Sequence, residues 1–361
     1  MQMNSNAQKT SASRPGLLGK VRAGKSMVEI LEDLGLVVVI VICSILLGLA
    51  SPVFFSRINI ENLLFSSTII AVVAIGEAFV IMVSGIDLSV GAVLALSSVL
   101  CVGLAVNQGL AVWLAALIAV GLGAVVGLIN GLAVTRLKIP ALIATLAMMS
   151  IARGVAFIYS GGRNIAPIPD IYDNIQAARL LGVPVIILFT LVIAIIAHFV
   201  LSSTRFGREI YATGGNPIAA TLSGIRADRV IISAYIISGI AAAVGGLMIT
   251  ARLEAGAATA GFGMELTVIS AVVIGGVSLF GGEGKIGSVL LGVLLLGLVQ
   301  NAINLLNVPP NYDYVVSGLV IGLAAAVDVF RRNIAEAGAR RRLAAVKKEQ
   351  AGSAPRAAES H

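Results

Sequence analysis

Ten apolar runs follow one another along the chain, near residues 34–55, 62–83, 88–106, 109–134, 140–160, 184–201, 230–250, 264–280, 286–306 and 314–330. Each is close to the roughly 20 residues that carry a helix across the hydrocarbon core of a bilayer. The succession predicts an all-α polytopic membrane protein of about ten transmembrane helices. The eighth run is short and glycine-rich, so a broken or re-entrant span is expected there; irregular backbone at depth survives where it lines a cavity. The first run is too long for a signal-peptide core and lacks a small-residue cleavage site, so it is expected to stay as an anchor.

Composition agrees with that reading. The chain is 58% hydrophobic and 12% charged, with a mean hydropathy of +1.00, whereas soluble domains sit near about 45–50% and about 25%. A net charge of +7 would suit nucleic acid, but its placement reports topology instead. With the N-terminus in the cytoplasm the connecting segments alternate sides, and 20 Lys and Arg fall inside against 4 outside (Arg57, Arg163, Arg179 and Arg252). That is the positive-inside pattern, and it places both ends in the cytoplasm. No nucleic-acid partner is expected. Cys43 and Cys101 lie inside apolar runs and read as small buried hydrophobes. His198 and His361 are far apart, so no metal site is expected.

Three parts follow: a basic, polar N-terminal tail over 1–33, expected to be disordered; a membrane domain over 34–330; and a basic tail over 331–361. Within the last, "IAEAGARRRLAAVKKEQ" has the makings of an amphipathic surface helix. The stretch "GKVRAGKS", Gly19–Ser26, fits the phosphate-cradling pattern G-x-x-x-x-G-K-[ST]. Backbone amides wrap phosphate only where such a loop joins a buried strand to a helix. Here polar residues precede it and a membrane span follows, so the match reads as fortuitous and no nucleotide site is assigned. Lys20, Arg22 and Lys25 are better explained as charge that orients the first helix.

Two connecting segments are long: 161–183 outside and 202–229 inside. The inner one reads "STRFGREIYATGGNPIAATLSGIRADR". "GGN" is a turn signal, Asn216 suits an N-cap, Pro217 the first helical position and Gly224 the residue past the helix end. A short cytosolic helix presenting Ala219, Ala220 and Leu222 is expected; a plain interhelical linker is the competing reading. In "VIMVSGIDLSVGAVLAL" (80–96), Gly85 and Gly91 flank Asp87. A helix break is expected there, leaving backbone amides and a carboxylate at the membrane edge. A similar pattern returns over 273–293, either an internal repeat or two hairpins alike in composition.

Ionisable and amide groups inside spans are costly and therefore informative. Glu77 lies about 22 Å from the outer side and Arg153 about 10 Å, at 1.5 Å per residue, so the two are not expected to pair. Arg153 either faces the bundle or snorkels outward. Gln300, Asn301 and Asn304 form a patch in the outer half of the ninth span, readable as path-lining groups or as interhelical amide bonds. Together with Glu77, Asp87 and Ser89 they are the candidate residues of a translocation path. The series Gly123, Gly127 and Gly131 and the pair Gly318 and Gly322 read as close helix packing. No catalytic set of side chains is recognisable, so no enzyme activity is expected.

Four stretches, "GEAFVIMVSGIDLSVGAVLAL" (76–96), "IPALIATLAMMSIARGVAFIY" (139–159), "TRFGREIYATGGNPIAATLSGI" (204–225) and "TAGFGMELTVISAVVIGGVSLFGGEGKIG" (259–287), resemble the permease subunit of ribose-type ABC sugar importers. The resemblance implies a type II ABC-importer-like bundle in the bacterial inner membrane, paired with a second permease copy or paralogue. It further implies two cytoplasmic ABC ATPase domains, which hold the ATP and magnesium, and an extracytoplasmic sugar-binding protein. It assigns the 202–229 loop as the element that couples to the ATPase, through Gly215, Asn216, Pro217, Ala219, Ala220, Ser223 and Gly224. The general permease pattern there is E-A-A-x-x-x-G; this chain has Ile218 in place of the acid, and Pro217 where relatives often carry Glu. The docking geometry is thus expected to be kept without that charge. The rival from another class, an ion-gradient-driven secondary transporter, would call for acidic or histidine relays near the midplane.

Overall fold

The computed structural model describes residues 27–309 continuously, together with the isolated helical positions 312, 315, 318, 319, 322 and 326; side chains are described from Gly35 onward. The stretch Gly19–Ser26, most of the run 314–330 and the tail from 331 lie outside the described residues. The long helices follow the apolar runs, except that α1 begins at Met27, within the 1–33 tail expected to be disordered: α1 Met27–Ala50, α2 Arg57–Met82, α3 Val90–Val106, α4 Val112–Thr135, α5 Ala141–Ser160, α7 Val185–Ser203, α10 Ala227–Leu253 and α12 Ile286–Leu305. Among the described residues, six helices are long and apolar enough to cross a membrane, and shorter apolar helices accompany them. The chain is therefore a polytopic helical membrane protein.

Local signals set the helix ends. Ser56 caps α2, its hydroxyl accepting from Asn59 N at 3.3 Å. Pro140 and Pro184 stand immediately before α5 and α7, where a missing N–H costs nothing. The segment 161–183 adds a short helix α6 (Ile171–Ala177) and a hairpin of β1 (Arg179–Leu180) with β2 (Val183–Pro184). The segment 202–229 holds α8 (Arg205–Gly215) and α9 (Pro217–Leu222). The two segments lie at opposite ends of the bundle, hereafter the α6 end and the α8–α9 end.

Helix α2 is buried at every residue from Ser67 to Met82, as a helix passing through the centre of a bundle must be. It packs between α7, α10, α11 (Met264–Ile274) and α12. Helices α4 and α10 approach most closely. A Cβ added at Gly123 would run into Gly239 O, at Gly127 into Tyr235 O, and at Gly131 into the backbone of Ile232. Those three glycines, one per helical turn, let two backbones touch. Gly318 and Gly322 do not behave in the same way: no described atom lies within 4 Å of either position. Large apolar residues on α4, α5 and α7, such as Ile151 and Ile195, point out of the bundle.

Three interruptions break the helical pattern. Between α2 and α3 the chain turns at Val83–Ser89, with Ser84 in the left-handed region (φ 62°). Asp87 does not sit at the membrane edge as expected; the segment folds back into the bundle and leaves that carboxylate 1% exposed. The second interruption is residues 254–263, which descend beside α3 without helix. Gly256 lies against Ser98 and Val102, and Gly261 against Gly91 and Leu94, a descent of about 11 Å along that helix. Helix α11 then has 11 residues, enough for only about 16 Å. The eighth span is thus broken, half irregular and half helix. The third interruption, 275–285, returns to α12. It packs on the first, Gly282 N donating to Met82 O at 2.9 Å, so the two glycine-rich hairpins that look alike in sequence are neighbours.

Candidate functional site

At the α8–α9 end the predicted short helix is present. The Asn216 side chain accepts from Ile218 N (3.1 Å) and Ala219 N (2.9 Å), Pro217 occupies the first turn, and Gly224 (φ 85°) closes the end. Ile218, Ala219, Thr221, Leu222 and Ser223 are exposed, with Leu222 at 85%. Ala220 is a correction to the expected face: at 4% exposure it points into the protein and anchors α9. What α9 presents is therefore an apolar surface of Ile218 and Leu222 flanking the small Ala219.

The adjoining α8 is fastened to both nearby interruptions. Thr204 caps it, its hydroxyl accepting from Gly207 N at 3.2 Å. Gly214 packs so tightly that a Cβ there would strike Met82 O and Gly282 N. Ser84 Oγ lies 2.7 Å from Phe280 O and 3.1 Å from Gly214 O, within donating distance of both. Tyr211 donates to Gly284 O at 2.9 Å, and burial pushes its phenol above the ordinary value, so it remains a donor. Sequence reasoning did not single out Ser84 or Tyr211; neither belongs to a motif with a readable role.

Deeper in the bundle lies a polar centre. Asp87 Oδ1 accepts from Ser89 N (3.0 Å), Ser89 Oγ (2.6 Å) and Asn130 Nδ2 (3.4 Å), while Oδ2 accepts from Ser238 Oγ (3.0 Å). Asn130 also donates to Ser89 Oγ at 3.0 Å. Glu77 Oε1 accepts from Asp87 N at 3.0 Å, and its Oε2 has no hydrogen-bond partner among the described residues. Glu77, Asp87, Ser89, Asn130 and Ser238 are all fully buried. The predicted trio Glu77, Asp87 and Ser89 is thus brought together. Asn130 and Ser238 were missed, although a lone Asn in "GLINGLAV" was a usable signal.

The outer patch is divided. Asn301 forms a reciprocal amide pair with Asn59 of α2 (2.8 and 3.2 Å), as the interhelical reading expected. Asn304 is exposed and Gln300 partly buried. Arg153 does not approach Glu77: its Nη1 donates to Ala258 O (2.8 Å) and Ala260 O (2.7 Å) of the irregular descent. Cys101 Sγ sits 3.1 Å from the Tyr172 hydroxyl. Among the described residues no group of three or more His, Cys, Asp or Glu could hold a metal ion.

Comparison with known proteins bears on this geometry. The family model described as branched-chain amino acid transport system / permease component matches residues 59–325. The chain is 37% identical to the ribose import permease protein of Haemophilus influenzae over 84% of its length and 94% of that protein's. It is 42% identical to the ribose import permease protein of Bacillus subtilis (82% and 91%) and 36% identical to the L-arabinose ABC transporter permease protein of Azospirillum brasilense (90% and 96%). No solved structure matches.

Proposed function

This chain belongs to the ABC-importer permease family so described, within its sugar-permease group, and we propose that it forms the membrane path by which a monosaccharide is imported, driven by ATP hydrolysed on a separate chain. It is a transport subunit and not an enzyme. The observation that carries the coupled mechanism is α9. A six-residue helix, capped by Asn216 and held on its inner side by Ala220, offers Ile218, Ala219 and Leu222 outward. A rigid, exposed apolar helix suits the groove of a partner that moves.

On this reading the α8–α9 end is cytoplasmic, which the excess of Lys and Arg on that side supports. The run 314–330 completes about ten spans in the bacterial inner membrane, with both termini cytoplasmic. A second permease, identical or paralogous, two ABC ATPase domains carrying ATP and magnesium, and an extracytoplasmic sugar-binding protein complete the importer. Gly215, Asn216, Pro217, Ala219, Ala220, Ser223 and Gly224 shape the coupling element. Glu77, Asp87 and Ser89 hold the α2–α3 break in place and act on the path indirectly, and Gln300 and Asn304 stand near its outer mouth.

The test is uptake by the reconstituted importer after Ala219→Trp, an exposed site where bulk leaves the fold intact but prevents close docking. ATP-driven uptake of D-ribose, L-arabinose or D-allose is expected to fall at least about tenfold, a loss of about 1.4 kcal/mol or more in docking, while the chain still reaches the membrane. Undiminished uptake defeats the proposal. Uptake by the chain alone under a proton or sodium gradient would instead establish the secondary transporter.

A further inference from the structure

Irregular backbone at membrane depth must be buried in protein or face water, because lipid cannot satisfy its polar groups. Residues 254–263 meet that condition on one side only. Ala255, Ala257, Ala258 and Ala260 are buried against the bundle, whereas Thr259 and Phe262 are exposed, Phe262 at 72%. Leu266, one turn into α11, continues the same exposed strip. The strip is deep. Arg153 is the thirteenth of the 20 residues of α5, and its guanidinium reaches both Ala258 O and the Phe262 ring, whose centroid is 5.7 Å away.

The groups beside Phe262 form a distinctive set. Arg153 presents five N–H donors, of which Nη1 alone holds the two carbonyls. Glu265, in the first turn of α11, interacts electrostatically with Arg153. Its Oε2 is buried, faces Gly91 of α3 and has no hydrogen-bond partner among the described residues. One cation and one anion leave the site without net charge. Thr259 adds a hydroxyl and Phe262 an apolar face. A discontinuous span whose half-helix begins at this depth is where membrane transporters place their solute contacts.

Resting on the permease reading above, we propose that Arg153, Thr259 and Phe262 line a water-filled part of the path and form a contact site for an uncharged, hydroxyl-rich solute, with the half-buried Glu265 beside Arg153 as its countercharge. The guanidinium donates to sugar hydroxyls, the Thr259 hydroxyl exchanges hydrogen bonds with them, and the Phe262 ring packs on the C–H face of the sugar. The balanced charge makes ionic solutes poor ligands, since either sign meets one repulsive group. Contacts of this kind are few and open to one side, which suits passage because a solute must leave as well as enter.

The test uses the assembled importer in proteoliposomes, with Cys43 and Cys101 replaced by Ala and single cysteines introduced by Thr259→Cys, Phe262→Cys and, as a lipid-facing control at similar depth, Ile195→Cys. Only a thiol in contact with water ionises and reacts with a charged methanethiosulfonate. Thr259→Cys and Phe262→Cys are expected to react at least about tenfold faster than Ile195→Cys. Rates with the cationic and anionic reagents should agree within about threefold, as an uncharged site requires. Labelling no faster than the control, meaning that lipid or a tightly packed second copy covers the strip, overturns the proposal. A rate ratio far from one overturns the claim of neutrality. ATP-driven uptake of D-ribose, L-arabinose and D-allose by the cysteine-free parent is measured separately. Failure there strikes the permease reading, whereas the labelling rates judge the strip.

Discussion

Asp87 and Glu77 lie side by side in the bundle, yet they are held in opposite ways. Asp87 accepts from Ser89, Asn130 and Ser238 with both oxygens engaged. Glu77 accepts one backbone N–H and keeps an oxygen without a partner among the described residues. Removing the first carboxylate leaves several buried donors unpaired, each worth about 1–3 kcal/mol. Asp87→Ala is therefore expected to destabilise the detergent-solubilised protein by about 3 kcal/mol or more. Glu77→Gln keeps the acceptor for Asp87 N and removes the chance of a buried charge, so its cost should stay within about 1 kcal/mol, or become a gain. Thermal unfolding of the two variants side by side checks the asymmetry. Equal losses would mean that the second oxygen of Glu77 or its charge is needed in the bundle, since glutamine retains the acceptor for Asp87 N.

At the scale of elements, the contact of α4 with α10 rests on absent side chains. Gly127 meets the Tyr235 backbone, while Gly121, on the same helix, has nothing within 4 Å. Gly127→Val is expected to cost about 1–3 kcal/mol by forcing the helices apart. Gly121→Ala should be neutral or stabilising by up to about 1 kcal/mol. Yield and melting temperature of the purified variants decide the matter. This stripe was legible in the sequence because the glycines recur at helical spacing, as were the helices themselves and the Asn216–Pro217 start of α9. The inward fold of Asp87 was not, because a glycine-flanked turn marks a break without giving its direction. Nor was the descent of 254–263 beside α3. Its alanines carry no periodic signal, and the Arg153 carbonyl contacts that hold it come from a residue over 100 positions away. The orientation of Ala220 was lost for a similar reason, since six residues of helix give too few turns to define a face.

Across the whole molecule, α9 and the buried polar centre belong to one connected set of bonds. From α9 the chain runs straight into α8, whose Gly214 is bonded to Ser84 and packed on Met82. Ser84 also reaches Phe280 O, which brings in the turn before α12. Two residues further, Ile86 O accepts from Thr145 of α5 (3.2 Å) and Tyr235 of α10 (3.4 Å), and Asp87 ties α4 and α10 to the same segment. A displacement of α9 by its partner would therefore reach the helices around the polar centre through the Val83–Ser89 turn, a chain of discrete contacts of the kind that transmits coupling. Ser84 is the narrowest point of that chain, and its φ of 62° permits a clean test. Ser84→Gly accepts the left-handed backbone more readily than serine does while deleting the hydroxyl. The variant is expected to fold and to support ATP hydrolysis by the assembled importer, but to spend more ATP per sugar moved. Coupling changes of about 0.5–2 kcal/mol correspond to a roughly 2- to 30-fold higher ratio of ATP hydrolysed to sugar imported, read from parallel hydrolysis and uptake assays on the same proteoliposomes. If that ratio is unchanged, the motion passes from α9 into the bundle by the Tyr211–Gly284 contact or through α10, and Ser84 serves only to hold the turn.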